Sequence, residues 1–311
     1  MVGAYLTVAV CTHNRCQKLR ITVRRIIDAC CGNPAVCVLI VDNASTDLTC
    51  EYIEELIKYG KERNVEILSV REEKLGISAA RNRAIEYCET ELLGFVDDDA
   101  FFEKEWIEEV INAFKKEKEL VACGGPISPD FEIPPPYWFS EKIQWVYSIN
   151  NYGESDRYYR YPEHPIGVNM AFRAKILKSM KFDEKLGRKG SDLISWEESK
   201  LFKEIMNCGI KVKYLAKANV VHLIPAERLN FEWVKDRCIA EGRSKAVMLA
   251  DGYGFLAILW AVVKLMVVWF GVMIFYALSF DEKNKCYYYA KAKYASGFVV
   301  SAYNSLKEKF L

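Results

Sequence analysis

The sequence predicts an α/β protein in which helices flank both faces of a mostly parallel β-sheet, followed by an apolar helical appendage. Two observations in the first 116 residues predict the sheet. Short apolar runs rich in β-branched residues alternate with amphipathic helical patterns, and the first four runs lead into polar clusters. The third observation predicts the appendage: residues 255–280 are strongly apolar, and their only charged residue is Lys264.

Four predicted strands and the helices between them form the framework of the sheet. The strands run over residues 6–11, 36–41, 65–70 and 92–96. The polar clusters that follow them are residues 12–15, 42–47, 76–82 and 97–99. Right-handed crossovers would place the helices on both faces. Because ligands bind beyond the carboxyl ends of parallel strands, these clusters predict a nucleotide-binding site.

The acidic triplet Asp97–Asp99 is the centre of that predicted site. Three adjacent carboxylates at the end of an apolar strand repel one another and resist desolvation, and a bound cation would relieve both costs. Oxygen ligands of this kind suit Mg²⁺ or Mn²⁺. The alternative is an acidic turn in which one aspartate caps a helix that starts near Glu103.

The second half of the chain is less regular. Residues 133–139 contain three consecutive prolines, which exclude a central strand or a helix interior. Further strands are expected over 168–172 and over 212–222, the latter as one long strand or a pair. We expect two domains, one over residues 1–245 that carries the site and a helical tail over residues 246–311.

Charge is unevenly divided along the chain. Residues 1–208 carry 28 basic and 34 acidic side chains, whereas residues 209–311 carry 15 basic and 8 acidic ones. A basic segment beside an apolar stretch favours an anionic membrane surface over nucleic acid as the partner. The apolar stretch is long enough either to span a bilayer or to lie in its interface, and a pair of buried soluble helices is the alternative.

The eleven cysteines show no CxxC spacing and an odd number, so a disulfide framework and a zinc ribbon are not expected. Reduced thiols in a reducing compartment are the expectation. The chain begins with a strand pattern and without a basic leader. We therefore expect the protein at the cytoplasmic face of the cell membrane.

Four segments in this order resemble the inverting glycosyltransferases of family 2, whose catalytic domain has the Rossmann-like GT-A fold. The segments are Val8–Arg15, Val41–Asp47, Gly76–Asn82 and Phe95–Asp99. Each segment alone is a weak signal, but their order and spacing are specific. The resemblance extends to about residue 245, so it implies a GT-A catalytic domain ahead of a membrane-associated tail.

The resemblance implies roles in binding a nucleotide-diphosphate sugar and its metal. Asp42 is expected to accept a hydrogen bond from the base, and Asp97 to reach the ribose. Arg81 would form a fork to a phosphate or to an acidic partner, with a surface salt bridge as the alternative. Asp99 and His222 would bind Mg²⁺ or Mn²⁺, although a single histidine is usually structural. The other inferred donor-binding residues are Thr12, Asn14, Arg15, Asn43, Gly76 and Asp98.

Sugar transfer also requires a base that takes the proton of the acceptor hydroxyl. The resemblance places this base at Glu198, where the family often has aspartate, with Glu197 as an acceptor contact. A purely structural carboxylate pair at a helix N-terminus is the alternative. Asn169 is predicted to contact the acceptor sugar, and its alternative role is that of a satisfied amide at a strand end.

Three functions are open at the level of sequence. The leading one is metal-dependent, inverting transfer of a sugar from a nucleotide-diphosphate donor, preferably UDP-linked, to a lipid-linked saccharide or a surface glycan. The second is a polyprenyl-phosphate sugar synthase, in which the lipid phosphate itself is the acceptor. The third is a nucleotide-sugar-binding scaffold without turnover, which the presence of Asp99 and Glu198 disfavours.

Overall fold

The protein is described by a computed structural model that covers residues 4–190, 192–252 and 255–310, without the side chains of 250–262, 264, 306 and 308–310. It divides into two compact units. The first unit comprises the chain up to residue 130, residues 149–184 and residues 197–223. The second comprises residues 131–148, residues 185–196 and the chain from residue 224 onward.

The amino-terminal half of the first unit is a parallel βα arrangement. Its strands, in chain order, are β1 (Leu6–Thr12), β2 (Val36–Asn43), β3 (Glu66–Glu72) and β4 (Leu92–Phe95). The connecting helices are α1 (Cys16–Cys30), α2 (Thr49–Glu62) and α3 (Ile77–Tyr87). The four strands are parallel and lie in the order β3-β2-β1-β4. This is the arrangement that the alternating sequence pattern predicts.

Seven shorter strands complete two sheets: β5 (Ala100–Phe102), β6 (Ala122–Gly124), β7 (Ile127–Phe131), β8 (Arg157–Tyr158), β9 (Met170–Arg173), β10 (Val212–Tyr214) and β11 (Val220–Ile224). The larger sheet has the order β3-β2-β1-β4-β9-β6-β10-β8, and β9 is antiparallel to both of its neighbours. The smaller sheet has the order β5-β11-β7. Residues 212–222, predicted as one strand or a pair, therefore supply strands to two different sheets.

The helices α4 (Lys104–Lys116), α5 (Ala174–Ser179) and α6 (Glu197–Asn207) complete the first unit. Every residue of β1 and β2 is buried, as expected for parallel strands whose two faces are covered by helices. The apolar face of α4 is buried as well, and its Trp106 lies over Gly94 of β4 so closely that a Cβ there would be 2.8 Å from the indole ring. This core holds the carboxyl ends of the strands in fixed positions.

The second unit is helical. It contains α7 (Phe231–Gly252), α8 (Phe255–Leu278), α9 (Glu282–Phe310) and two short 3₁₀ helices, Glu141–Tyr147 and Ala226–Arg228. The α7 and α9 backbones touch, because a Cβ on Gly242 would lie 2.0 Å from the carbonyl oxygen of Tyr294. The predicted boundary at residue 245 falls within α7, so the two units do not coincide with the predicted domains 1–245 and 246–311.

The apolar stretch predicted over residues 255–280 corresponds to α8 and the turn after it. Within the described parts of the chain, no helix combines the length and the apolar character that a membrane crossing requires. The side chain of Lys264, the charged residue of this stretch, is not among those described.

Candidate active site

The polar clusters after β1, β2 and β4 meet through side-chain contacts within the first unit. Thr12 Oγ1 donates to a carboxylate oxygen of Asp98 over 2.8 Å. The amide oxygen of Asn14 accepts a hydrogen bond of 2.7 Å from the backbone N–H of Thr46. Parallel neighbours end at the same edge of a sheet, so the pairing of β1 with both β2 and β4 explains why the clusters lie together.

The acidic triplet lies between β4 and β5, not at the start of a helix, because α4 begins only at Lys104. Asp98 and Asp99 are buried, whereas 34% of the Asp97 side chain is exposed. Burial raises the pKa of Asp98, and the guanidinium of Arg15, which forms an ion pair with it, opposes that effect. The triplet therefore presents Asp97 to solvent and keeps Asp98 within the fold.

His222 is placed beside the triplet by the register of the smaller sheet, in which it lies opposite Ala100. Its Nε2 is 3.4 Å from Asp99 Oδ1, and Arg15 Nη1 is 3.3 Å from Asp99 Oδ2. The carboxylate and the imidazole fit the first-row divalent metals as a pair of donors. Among the described residues, no group of three or more His, Cys, Asp and Glu side chains forms a closed metal site. The pair thus suits an open site that substrate oxygens and water complete.

Asp42 lies at the end of β2, opposite Arg71 of β3 in the sheet register. Asp42 Oδ1 accepts a hydrogen bond of 3.1 Å from the Ser45 N–H, and Oδ2 pairs with Arg71 Nη1 at 2.5 Å. Arg71 also donates to the side chain of Glu73 over 2.8 Å. A carboxylate has about four lone-pair sites, so Asp42 keeps acceptor capacity for a ligand. The pair places an acceptor and a donor next to each other.

Asn43 and Gly76 shape the loop between β3 and α3. Asn43 Oδ1 accepts a hydrogen bond of 2.8 Å from the Gly76 N–H, and Asn43 Nδ2 donates to the Lys74 carbonyl over 2.8 Å. Gly76 has a φ of 139°, a backbone conformation that residues with a Cβ rarely adopt. Their observed contacts are with the loop, so these residues set its path.

Arg81 is a buried link between the acidic triplet and α6. Its Nη1 donates to Glu197 Oε1 over 2.7 Å, and its Nη2 lies 3.4 Å from Asp97 Oδ1. Only 4% of the Arg81 side chain is exposed, so the alternative of a surface salt bridge is wrong. Of the two predicted partners, a phosphate or an acidic group, the observed ones are acidic.

Glu197 and Glu198 open α6 next to this guanidinium. Burial and the charge of Glu198 raise the pKa of Glu197 to about 8. Burial is the largest effect on Glu198 and opposes its ionisation, but the charge of Arg81 and hydrogen bonds to the carboxylate together outweigh it, so the pKa of Glu198 falls to about 2. Glu198 Oε1 accepts a hydrogen bond of 3.3 Å from the Gly167 N–H. The Oε2 atoms of both residues are buried without a hydrogen-bond partner among the described residues.

The Asn169 side chain is fully used within the fold. Its oxygen accepts a hydrogen bond of 2.9 Å from the Trp106 indole, and its nitrogen donates to the carbonyl oxygens of Pro126 and Ala218. The residue is 1% exposed. These contacts correspond to the alternative role, that of a satisfied strand-end amide, because no polar atom of the amide is left for an acceptor sugar.

Sequence reasoning did not identify Arg71, His164 or Ser199 as part of this region. His164 Nε2 and Ser199 Oγ are 2.9 Å apart, directly beside Glu198. The only sequence feature that could have indicated Arg71 is its position as a basic residue directly after the third predicted strand. No sequence spacing connects His164 with Ser199, since 35 residues separate them.

Comparison with known proteins identifies the family. The sequence model of "Glycosyl transferase family 2" matches residues 7–180, more than half of the chain. A glucosyl-dolichyl phosphate glucuronosyltransferase from Haloferax volcanii is 27% identical over 247 residues, which are 78% of this chain and 77% of that protein. The family match includes the four polar clusters of residues 12–15, 42–47, 76–82 and 97–99.

Similar solved structures have the same fold. Mannosyltransferase PcManGT from Pyrobaculum calidifontis, in complex with GDP-Man and Mn²⁺, has a TM-score of 0.58 at 15% identity, over 97% of this chain and 74% of that one. GalNAc-T7 with UDP, GalNAc and Mn²⁺ has a TM-score of 0.55 at 16% identity, over 79% of this chain and 50% of that one. Because the family match covers most of the first unit and the sheet agrees with these structures, the protein belongs to glycosyl transferase family 2 and is a glycosyltransferase with the GT-A fold.

Proposed function

We propose that the protein is a metal-dependent, inverting glycosyltransferase that moves a sugar from a UDP-linked donor to a lipid-linked saccharide at the cytoplasmic face of the cell membrane. The observation that carries the proposal is the state of Glu198. One of its oxygens is held by the Gly167 N–H, and the other is buried without a protein partner among the described residues. A carboxylate held in this way is ready to take a proton from an acceptor hydroxyl.

The transfer follows from the charges around Glu198. Arg81 lowers its pKa, so the carboxylate is ionised at neutral pH and open to the hydroxyl proton. The same shift weakens it as a base, so the proton passes to it only as the new bond forms. The oxygen of the acceptor hydroxyl attacks the anomeric carbon while it loses its proton, and the bond from that carbon to the diphosphate breaks. A single displacement inverts the configuration at that carbon. Glu197 keeps Arg81 in place through the 2.7 Å contact.

Asp99 and His222 are the residues that would hold the metal. Asp99 precedes β5 and His222 lies in β11; their oxygen and nitrogen donors are 3.4 Å apart, and both side chains are buried. When bound, a divalent ion supplies positive charge that stabilises the leaving diphosphate. The Mn²⁺ present with nucleotide or nucleotide sugar in both similar structures supports this assignment. Comparing donor binding with Mn²⁺ and with Mg²⁺ distinguishes the two ions.

The Asp42–Arg71 pair supports uracil as the base. Uracil presents an N–H donor between two carbonyl acceptors, so Asp42 would accept from N3–H while Arg71 donates to the adjacent carbonyl. Cytosine has no N3–H and does not fit the pair, whereas guanine also carries an N–H beside a carbonyl, so GDP-mannose is the competing donor in the panel. Asp97, partly exposed and held by Arg81, is the group that we assign to the ribose.

The acceptor assignment rests on the relative from Haloferax volcanii. That protein is described as acting on glucosyl-dolichyl phosphate, which is a lipid-linked saccharide. The relative spans 78% of this chain, including α6. A saccharide acceptor is therefore favoured over a polyprenyl phosphate without sugar, which is the acceptor of the second candidate function, a polyprenyl-phosphate sugar synthase.

Association with a membrane is supported by the exposed surface of α8. Val267, Phe270 and Ile274 are 68%, 61% and 59% exposed, and their spacing places them on one side of the helix. Exposed apolar side chains grouped in this way mark an interaction surface, and the basic character of residues 209–311 suits anionic lipid. Eleven free thiols support a reducing compartment, hence the cytoplasmic face.

A donor panel tests the proposed function. The full-length protein is heated with UDP-glucose, UDP-glucuronic acid, UDP-N-acetylglucosamine or GDP-mannose, each with Mn²⁺, with Mg²⁺ or with EDTA. A donor at a hundredfold excess over its Kd adds about 2.7 kcal/mol of stability, which gives a clear shift in Tm. We expect a shift with UDP-sugars and metal only. Equal shifts in EDTA would remove the metal from the proposal, and a response to GDP-mannose alone would remove uracil.

The acceptor test uses the donor selected by the panel. Glucosyl-polyprenyl phosphate and polyprenyl phosphate are offered in parallel, and products are identified by mass spectrometry. We expect a second sugar on the first lipid and no reaction of the second. Transfer to the bare lipid phosphate would establish the synthase, and donor binding without either product would rule out both acceptors.

The membrane proposal is tested by vesicle flotation. The triple variant V267Q/F270Q/I274Q should float less than the wild type with vesicles that contain anionic lipid. V300Q/Y303Q on α9 is the matched control, since these side chains are 59% and 64% exposed. Equal flotation of the wild type and the α8 variant would overturn the assignment of this surface.

A further inference from the structure

The loop His164–Gly167 contacts α6 at two consecutive residues of the candidate active site. The Gly167 N–H donates to Glu198 Oε1 over 3.3 Å, and His164 Nε2 lies 2.9 Å from Ser199 Oγ. Glu198 and Ser199 are adjacent in sequence, so a change in the contact between His164 and Ser199 also moves Glu198 relative to the Gly167 N–H.

The direction of the His164 hydrogen bonds follows from their partners. His164 Nδ1 lies 2.6 Å from the Pro165 carbonyl oxygen, which only accepts, so Nδ1 carries the hydrogen. With this hydrogen on Nδ1, Nε2 is the acceptor for the Ser199 hydroxyl. The ring also stacks on Phe202 of α6, with centroids 5.6 Å apart and an angle of 17° between the planes. The imidazole is thus fixed by two hydrogen bonds and a ring contact.

The other end of the loop has little freedom. A Cβ on Gly167 would lie 2.3 Å from Arg81 Nη2 and 3.2 Å from Glu198 Oε1, so the glycine backbone lies directly against both groups. The Asn169 N–H donates to the Ile166 carbonyl over 2.8 Å and fixes the exit of the loop. A shift of the entry at His164 would therefore move the Gly167 N–H relative to the Glu198 carboxylate.

We infer that His164 is a positioning residue for the catalytic base. Through Ser199 it holds the loop on α6, so that the Gly167 N–H stays on Oε1 of Glu198 and Oε2 is the oxygen left for the acceptor hydroxyl. The inference rests on the proposed role of Glu198 as the base. His164 itself touches no reacting atom in this account, and its effect is on the orientation of Glu198.

Three substitutions of His164 separate positioning from simple packing. H164Q keeps an acceptor in the place of Nε2, H164N keeps a donor in the place of Nδ1, and H164F keeps only the stacking on Phe202. We expect kcat to fall by about 10- to 100-fold in H164F and H164N, because small misplacements of catalytic groups have effects of this size. H164Q should recover most of kcat. The KM for the donor should stay within about twofold in all three, as none of them alters the donor-binding residues.

Ser199 provides the second half of the experiment. S199A should lower kcat as much as H164F, and the double variant should lower it no further, because both remove the same contact. S128A is the matched control, because it removes a serine hydroxyl whose hydrogen bond of 2.9 Å comes from Asn219 and not from His164. Additive losses in the double variant, or equal activity of H164F and wild type, would overturn the inference.

Hydrogen exchange supplies a measurement that does not depend on turnover. In S199A, peptides that contain residues 164–169 should exchange faster than in the wild type, whereas S128A should leave them unchanged. Unchanged exchange in S199A overturns the role of the Ser199 contact even if the wild type shows no transfer. A wild type that shows no transfer with any donor and acceptor contradicts the proposed function instead, so the two failures are distinguishable.

Discussion

Replacing Glu198 by glutamine tests the assigned base with little change in shape. The glutamine oxygen still accepts the Gly167 hydrogen bond, and the unpartnered buried oxygen becomes an NH₂ group that is unable to take a proton. The contact of Arg81 with Glu197 at 2.7 Å does not involve Glu198 and remains. The Glu198 charge raises the pKa of Glu197, so its loss makes Glu197 a better partner for the guanidinium. The fold and the binding of the donor should therefore persist.

The expected loss is that of a general base. Such groups contribute about 10²–10⁴-fold to a rate, which is about 2.7–5.4 kcal/mol of activation free energy at 1.36 kcal/mol per tenfold. Glu197→Gln is the matched control. The pKa of Glu197 is raised to about 8, so at pH 7 it is largely protonated and an amide reproduces its charge. Its oxygen still accepts from Arg81, so we expect less than a tenfold loss of kcat and little loss of stability.

The assay is the initial rate of transfer at saturating donor and acceptor, with the donor Kd measured separately by calorimetry. The reasoning requires a large fall in kcat for Glu198→Gln, an unchanged donor Kd, and a small effect for Glu197→Gln. If Glu198→Gln keeps more than a third of wild-type kcat, the base is another residue. If Glu197→Gln shows the larger loss, the two roles are reversed.

Three further predictions concern groups around the donor. Asp99→Ala should abolish the difference between donor affinity in Mn²⁺ and in EDTA, as measured by calorimetry; a difference as large as in the wild type would contradict the metal assignment. Arg71→Gln removes the guanidinium that we assign to the base carbonyl, so UDP affinity should fall while CDP affinity changes less; parallel losses would argue against base recognition. Arg81 lowers the pKa of Glu198, so in Arg81→Gln that pKa rises and the acidic limb of the kcat profile should move to higher pH; an unmoved limb would show that Arg81 does not control the base.

The framework of the first unit was predictable because parallel strands with helical crossovers leave a strong local pattern. The polar clusters had to lie together once the strands were parallel, and hydrogen bonds in fact join Thr12 to Asp98 and Asn14 to Thr46. The short antiparallel strands of the second half carry a weaker pattern. The assignment of 212–222 to two sheets depends on pairings far away in sequence.

Several features of the site depend on register and burial, which no local pattern reveals. Arg71 meets Asp42 because β2 and β3 pair in one particular register. The side-chain oxygen of Asn169 accepts a hydrogen bond from the Trp106 indole, which is 63 residues away in sequence. No local pattern shows that this partner takes the place of the predicted acceptor sugar. The second unit gathers residues 131–148, 185–196 and 224 onward, and such a division is invisible to an analysis that assumes contiguous domains.

The most direct test of the central claim is the anomeric configuration of the product. The wild-type protein is incubated with the UDP-α-sugar selected by the donor panel, the lipid-linked saccharide and the preferred metal, and the product is examined by ¹H NMR. A single displacement with Glu198 as the only base predicts a β-linked product, with the large anomeric coupling that a gluco-configured sugar shows. An α-linked product would mean retention and would contradict the account.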